Sequence, residues 1–256
     1  MKLFFNISLA ASFAFSLIGW VVAASPTLKV IDLSNDVKLE MILIPKGKFF
    51  MGSPDTEKGR GANELIHEVT ISKSFFMGKF EVTQEQWQVV LGENPSEIKG
   101  IKLPVTNVSW NDSLRFIKKL NEITKRSFRL PTEAEWEYAC RGNTKTAYSF
   151  DAELLPSQAN FFGSDLAKPV PVGSYKPNAL GLYDMHGNVW EWCNDWFAAY
   201  SKNPAIDPQG PVNGEYRVLR GGSFVNRELS IRSAVRFLDT ASYSFEFRGF
   251  RLALTE

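Results

Sequence analysis

Cysteine and histidine are scarce in this sequence, with two of each among 256 residues. The counts alone exclude a zinc finger, an iron–sulfur cluster and a three-histidine metal site. An excess of one charge is also lacking, since 29 Lys and Arg balance 28 Asp and Glu to leave a net charge of +1. The chain therefore has no basic field that would collect phosphates, and no nucleic-acid partner is expected.

The composition is that of a globular protein, with 44% apolar, 22% charged and 13% aromatic residues. Residues 39–254 contain no fixed-period repeat, charge block or Pro/Ser-rich linker. We therefore predict one domain over residues 39–256, preceded by a short lead-in at 25–38.

The N-terminus has the pattern of a secretory signal peptide. Lys2 precedes an uncharged stretch at 3–24, and Val22 and Ala24 occupy the −3 and −1 positions of a cleavage point after Ala24. Residues 1–24 are therefore predicted to direct export, so that the protein is periplasmic or secreted. An uncleaved membrane anchor is the alternative, and no other membrane contact is expected.

Export changes the interpretation of the two cysteines. In an oxidising compartment an even, minimal cysteine count favours a bridge between Cys140 and Cys193. The alternative is two separate buried thiols that pack as small apolar groups.

Local patterns predict an α+β fold. Thr83 and Thr132 each begin a helix capping box, and Ser109 precedes an apolar stripe of helical period. Residues 39–51 are predicted to form a hairpin, and the Gly, Pro and Asn content of 143–216 indicates long ordered loops. We expect two or three helices around a small, twisted antiparallel sheet, with little regular secondary structure.

Six segments together resemble the formylglycine-generating-enzyme family, also called the sulfatase-modifying-factor family. They are residues 81–83, 104–110, 129–139, 178–192, 220–223 (Arg220-Gly221-Gly222-Ser223) and 248–251. The resemblance implies a variant of the C-type-lectin-like fold with a core of Trp and Arg.

The resemblance also shows what is missing. The namesake enzymes oxidise a cysteine of a sulfatase with O2 and a copper ion that two cysteines hold just after the Gly-Gly-Ser motif. No cysteine follows Ser223 here, and Cys140 and Cys193 belong to other motifs. Copper(I) needs soft thiolate ligands, so no copper site is expected. A second branch uses iron on three histidines, and His67 and His186 are too few.

Calcium is the metal for which the sequence retains ligands, because Ca²⁺ prefers carboxylate and carbonyl oxygens. The resemblance places a first site on the side chains of Asp184 and Glu191 and on the backbone carbonyls of Gly187 and Val189. The resemblance places a second site at Asn160 and the Phe161 carbonyl, and Asp165 is a further candidate ligand there. The alternative for Asp184 and Glu191 is hydrogen bonding to loop amides or to arginines.

Four residues are candidates for a ligand groove: Ser223, Asn226, Arg236 and His186. No His and Asp can be placed beside Ser223, so no catalytic triad is predicted. Two functions compete. One is an exported binding or accessory module without copper chemistry, which holds a peptide or small molecule in the groove. The other is a periplasmic oxidoreductase of the pyoverdine-maturation type, a branch that also lacks the copper cysteines.

Overall fold

The structure is a computed structural model that describes residues 26–34 and 36–255. The predicted signal segment 1–24 lies outside the described residues. No described helix has the length and apolar character needed to cross a lipid bilayer.

Three short helices begin where the capping residues predict. The hydroxyl of Thr83 accepts a hydrogen bond from the backbone of Gln86, and the Gln86 side chain accepts one from the backbone of Thr83; the other two helices repeat this arrangement. These reciprocal bonds satisfy amides that a helix start would otherwise leave without partners. The helices are α1 (Gln84–Leu91), α2 (Trp110–Thr124) and α3 (Glu133–Arg141).

The strands form three small sheets rather than one. The first has the order β1-β2-β5-β12-β6, the second β10-β9-β7-β11 and the third β3-β4-β8. Most neighbours are antiparallel, and only β11 with β7 and β4 with β8 run parallel among the described strands. The strands are β1 (Leu28–Ser34), β2 (Val37–Ile44), β3 (Gly47–Met51), β4 (His67–Ile71), β5 (Phe75–Gly78), β6 (Phe128–Arg129), β7 (Trp190–Trp196), β8 (Ala205–Ile206), β9 (Arg217–Arg220), β10 (Phe237–Asp239), β11 (Arg248–Gly249) and β12 (Ala253–Leu254).

Two details differ from the sequence-based expectation. The predicted hairpin over 39–51 is wrong, because β2 pairs with β1 and β5 whereas β3 pairs with β4 in another sheet. The chain changes sheets at Pro45, which has no backbone N–H to donate to a ladder. The lead-in residues are also part of the domain, since β1 is the edge strand of the largest sheet.

The core combines indole rings with buried guanidinium groups. Trp87, Trp136 and Trp192 are fully buried, and so are three arginines: Arg220, Arg232 and Arg251. A buried charge is stable only when it is paired and hydrogen-bonded. The positions of the partner carboxylates therefore determine how the loops are held.

Candidate functional site

Glu191, on β7, is held by a cation and an indole. Both of its carboxylate oxygens accept from Arg251, at 2.6 and 2.7 Å, and Oε2 also accepts from Nε1 of Trp136 at 2.7 Å. A bidentate carboxylate–guanidinium pair of this kind compensates both charges. The structure thus shows Glu191 bonded to an arginine, which was the alternative to calcium binding.

Asp184 lies at the start of the same loop, with a left-handed backbone (φ 57°). Its Oδ2 accepts from the amide of Gly173 at 2.7 Å, so one loop amide is satisfied by this carboxylate. Burial raises the pKa of Asp184 to about 6, although the Gly173 amide and Arg251 favour the charged form.

Glu81 completes the cluster, and the sequence patterns did not single it out as a site residue. It is 1% exposed, its Oε1 accepts from Nδ2 of Asn188 at 3.0 Å, and its Oε2 has no hydrogen-bond partner. Burial and the neighbouring carboxylates of Asp184 and Glu191 raise its pKa well above the ordinary value. The only sequence signal was the position of Glu81 in a family motif, which says nothing about burial.

The residues around the first predicted calcium site carry enough negative charge for a cation, but their side chains do not converge on one point. The three carboxylates of Glu81, Asp184 and Glu191 lie near the single guanidinium of Arg251. This cluster has a net charge of −2 when all four groups are ionised. No group of three or more His, Cys, Asp or Glu side chains among the described residues is arranged around one point. A calcium ion here would therefore depend on the carbonyls of Gly187 and Val189 as much as on Asp184 and Glu81.

The second calcium set does not fit a cation. The Ser164 hydroxyl lies 3.1 Å from Oδ1 of Asn160 and 2.7 Å from the carbonyl of Phe161, within hydrogen-bonding distance of both proposed ligands. Asp165 ends a short 3-10 helix and is exposed. The two oxygens predicted as ligands are therefore already within hydrogen-bonding distance of one hydroxyl group.

His186 is a buried, neutral imidazole. Its Nδ1 donates to the carbonyl of Ile231 at 2.8 Å, and its Nε2 accepts from the amide of Ser149 at 3.0 Å. Burial lowers its pKa to about 4. With both nitrogens engaged, His186 fixes the positions of two loops and is not placed to carry protons.

The predicted disulfide is wrong in this structure, where Cys140 and Cys193 are both free and fully buried. Cys140 lies on α3, with its sulfur 3.6 Å from Oγ of Ser233. Burial raises the pKa of Cys140 to about 12 and that of Cys193 well above its ordinary value. The structure thus favours the alternative of two separate packed thiols.

The other three groove candidates occupy two different places. Ser223 donates its amide and hydroxyl to Oδ1 of Asn226, at 2.9 and 2.7 Å, which closes a tight turn. Arg236 is a bidentate partner of Glu133 at 2.6 and 2.8 Å, and its guanidinium stacks 3.7 Å from the ring centre of Tyr200. The structure therefore joins Ser223 to Asn226 and separates both from Arg236.

The Ser223–Asn226 turn leads into the wall of an open cleft of about 570 Å³, which we call the loop cleft. Segments 54–58, 145–148, 152–154 and 228–232 line it. Arg232 at its base is paired with Glu64 at 2.8 Å and also with Glu57. This volume lies in the range of small-molecule sites.

The Sulfatase-modifying factor enzyme 1-like domain matches residues 32–256 of the chain. This protein belongs to the sulfatase-modifying-factor family. The α+β fold of this family is confirmed by the solved structure of Treponema denticola variable protein 1. That structure has a TM-score of 0.84 at 29% identity and covers 91% of this chain and 100% of its own. PvdO from Pseudomonas aeruginosa has a TM-score of 0.81, also at 29% identity, with the same coverage.

Curated members of the family carry different names. The serine/threonine-protein kinase pkn1 of Chlamydia caviae is 36% identical over 245 residues, which is 84% of this chain and 38% of that protein. The formylglycine-generating enzyme of Streptomyces coelicolor is 40% identical over 169 residues, which is 59% of this chain and 52% of the enzyme. The match thus spans about two fifths of the first relative and about half of the second, so membership of the sulfatase-modifying-factor family does not assign an activity.

Proposed function

We propose that this chain is an exported binding or accessory module of the sulfatase-modifying-factor family, without copper-dependent formylglycine-generating activity. One observation supports the proposal most strongly: both thiols are fully buried on α3 and β7, and the turn that follows the Gly-Gly-Ser motif carries no cysteine. In that turn Asn226 uses its side-chain oxygen to hold Ser223. An amide oxygen that accepts two hydrogen bonds is a poor substitute for a copper thiolate.

The ligand in this proposal, a peptide or small molecule, occupies the loop cleft. The cleft adjoins the segment where the family resemblance places the groove, and its loops are fixed by buried pairs such as Arg232 with Glu64. Rigid walls lower the entropy cost of binding, because the loops do not have to be ordered when the ligand arrives.

The formylglycine assay tests the negative part of the proposal. The protein is incubated with Cu(I), O2 and a sulfatase-type peptide that contains cysteine, and the products are analysed by mass spectrometry. We expect no aldehyde above a no-enzyme control, while the Streptomyces coelicolor enzyme converts the same peptide. Aldehyde formed by this chain would contradict the proposal.

A second candidate is a periplasmic oxidoreductase of the pyoverdine-maturation type. Its support is the similarity to PvdO over 91% of the chain, together with the absence of a cysteine after Ser223. O2 uptake during incubation with a siderophore precursor would favour this oxidoreductase over a binding module.

We also propose structural calcium near the first predicted site, with one change of ligand. Glu81 replaces Glu191, because both oxygens of Glu191 are bonded to Arg251, while Asp184 and the carbonyls of Gly187 and Val189 remain ligands. The orphaned oxygen of Glu81 supports this, because a divalent cation would both satisfy the atom and neutralise the cluster. Bound calcium would hold the 184–191 loop against β7.

The calcium proposal predicts that EGTA lowers the melting temperature of the wild type. Saturation at a hundredfold excess over Kd stabilises a folded protein by about 2.7 kcal/mol. Glu81→Gln, which is isosteric with the protonated acid, should melt at the same temperature with calcium and with EGTA. The control Asp165→Asn, in the exposed part of the second set, should respond as wild type does. A full calcium response in Glu81→Gln would contradict the assignment.

A further inference from the structure

The outer edge of β3 is open. β3 pairs with β4 on one side and is the terminal strand of its sheet. Along a strand, the N–H and C=O groups of one residue point to one side and those of the next residue to the other. Gly52, just after β3, donates its amide to Glu137 and accepts from Arg141, both on α3. By alternation, the backbone groups of Phe50 and Lys48 point to this same outer side.

A groove of about 440 Å³ runs along that edge. Its lining residues come from β3, from the 66–68 segment at the start of β4, from the C-terminal end of α3 and from the turn at 143–145. Two large apolar side chains are exposed at the groove, Phe50 at 52% and Ile66 at 41%. An apolar open edge of this kind is a template for another strand, and monomeric proteins normally protect such edges.

The charges at the groove are not balanced. Lys48 is paired with Glu68 at 3.1 Å, and Arg141 is paired with Glu137 at 2.8 Å. Lys145 is exposed and forms no ion pair with any residue in the described part of the chain. The groove therefore presents one uncompensated ammonium beside an apolar patch.

We infer that the outer edge of β3 binds an extended peptide segment that alternates apolar and acidic residues, by adding it as a strand. The peptide backbone would pair with the two N–H and two C=O groups of Lys48 and Phe50. Its apolar side chains would cover Phe50 and Ile66, and an acidic side chain would meet Lys145. Main-chain bonds supply affinity in this mode of recognition, and alternate side chains supply specificity. This surface is distinct from the loop cleft, although Pro54 and Lys145 border both.

The test uses a fluorescently labelled peptide of alternating Glu and Val, measured by fluorescence anisotropy with the full-length protein. A matched peptide carries N-methyl groups on alternate residues, which block strand pairing only when the methylated N–H groups are those that face β3, and which leave every side chain in place. A third peptide is methylated in the other register. We expect the unmodified peptide and one methylated register to bind, and the other register to bind at least tenfold more weakly.

Two protein variants probe the side-chain contacts. Lys145→Glu should weaken binding of the acidic peptide at least fivefold, whereas Lys202→Glu, on an exposed loop outside the groove, should not change it. Phe50→Thr keeps a strand-forming residue and should also weaken binding. Equal binding of all three peptides would mean apolar adhesion and would overturn strand addition. No binding of the unmodified peptide up to about 1 mM would overturn the inference as well. Because Lys145 borders the loop cleft as well, Phe50→Thr is the variant that assigns binding to the β3 edge: unchanged binding in Phe50→Thr would also overturn the inference. None of these results bears on copper chemistry.

Discussion

Replacing Glu137 with glutamine should lower the free energy of unfolding by about 3–5 kcal/mol, the usual cost of breaking a buried charge pair. Glu137 is fully buried on α3 and connects three parts of the fold. Its Oε1 accepts from Gly52 after β3 and from Arg141, and its Oε2 accepts from Arg220 on β9. Glutamine keeps the shape, but it removes the charge that compensates two guanidinium groups.

Urea denaturation followed by far-UV circular dichroism measures this change. The control is Glu122→Gln, which removes an exposed carboxylate 3.7 Å from Lys119. Exposed pairs contribute between about 0 and 1 kcal/mol, so the control should unfold close to wild type. If Glu137→Gln matched Glu122→Gln, the buried network would not contribute to stability as the structure indicates.

Replacing Gly187 with alanine should lower the free energy of unfolding by at least about 2 kcal/mol, since backbone strain and a steric overlap coincide there. Gly187 has φ 83°, and a Cβ at this position would lie 2.1 Å from the carbonyl oxygen of Asn160. That oxygen already accepts from the amide of Asn188. The strand-like contact between the 160 and 187 segments would therefore have to open.

Gly92→Ala separates the two causes. Gly92 ends α1 with φ 80°, and no heavy atom lies within 4 Å of the place that an alanine Cβ would occupy. Only the cost of a left-handed backbone remains there, about 1 kcal/mol. Thermal unfolding of both variants should rank Gly187→Ala well below Gly92→Ala. Equal melting temperatures would contradict the close approach of Asn160.

The helices were predictable because their signals are local. Thr83, Ser109 and Thr132 each satisfy orphan amides within one turn, and this chemistry is visible in four consecutive residues. The strands were less predictable because their partners are distant. β2 and β3 are separated by only two residues and belong to different sheets. β2 pairs with β5 and β3 pairs with β4, and both partners come later in the sequence.

The sequence identified several residues of the site, but it did not predict which groups contact them. Glu191 was singled out from a motif, but its bidentate bond to Arg251 joins residues 60 positions apart. Glu81 was missed for the same reason, since Asn188, which donates a hydrogen bond to it, lies 107 positions further along the chain. The disulfide was inferred from compartment alone, which carries no information on where Cys140 and Cys193 lie.

The alkylation rates of the two buried thiols report local unfolding of this protein. The thiolate is the form of cysteine that attacks an alkylating reagent, and both sulfurs combine full burial with a raised pKa. Modification must therefore pass through conformations in which α3 or β7 has separated from its neighbours. The ratio of alkylation rates in the unfolded and native chains then gives a protection factor for each element. In this way Cys140 reports opening at α3 and Cys193 reports opening at β7, without any engineered probe.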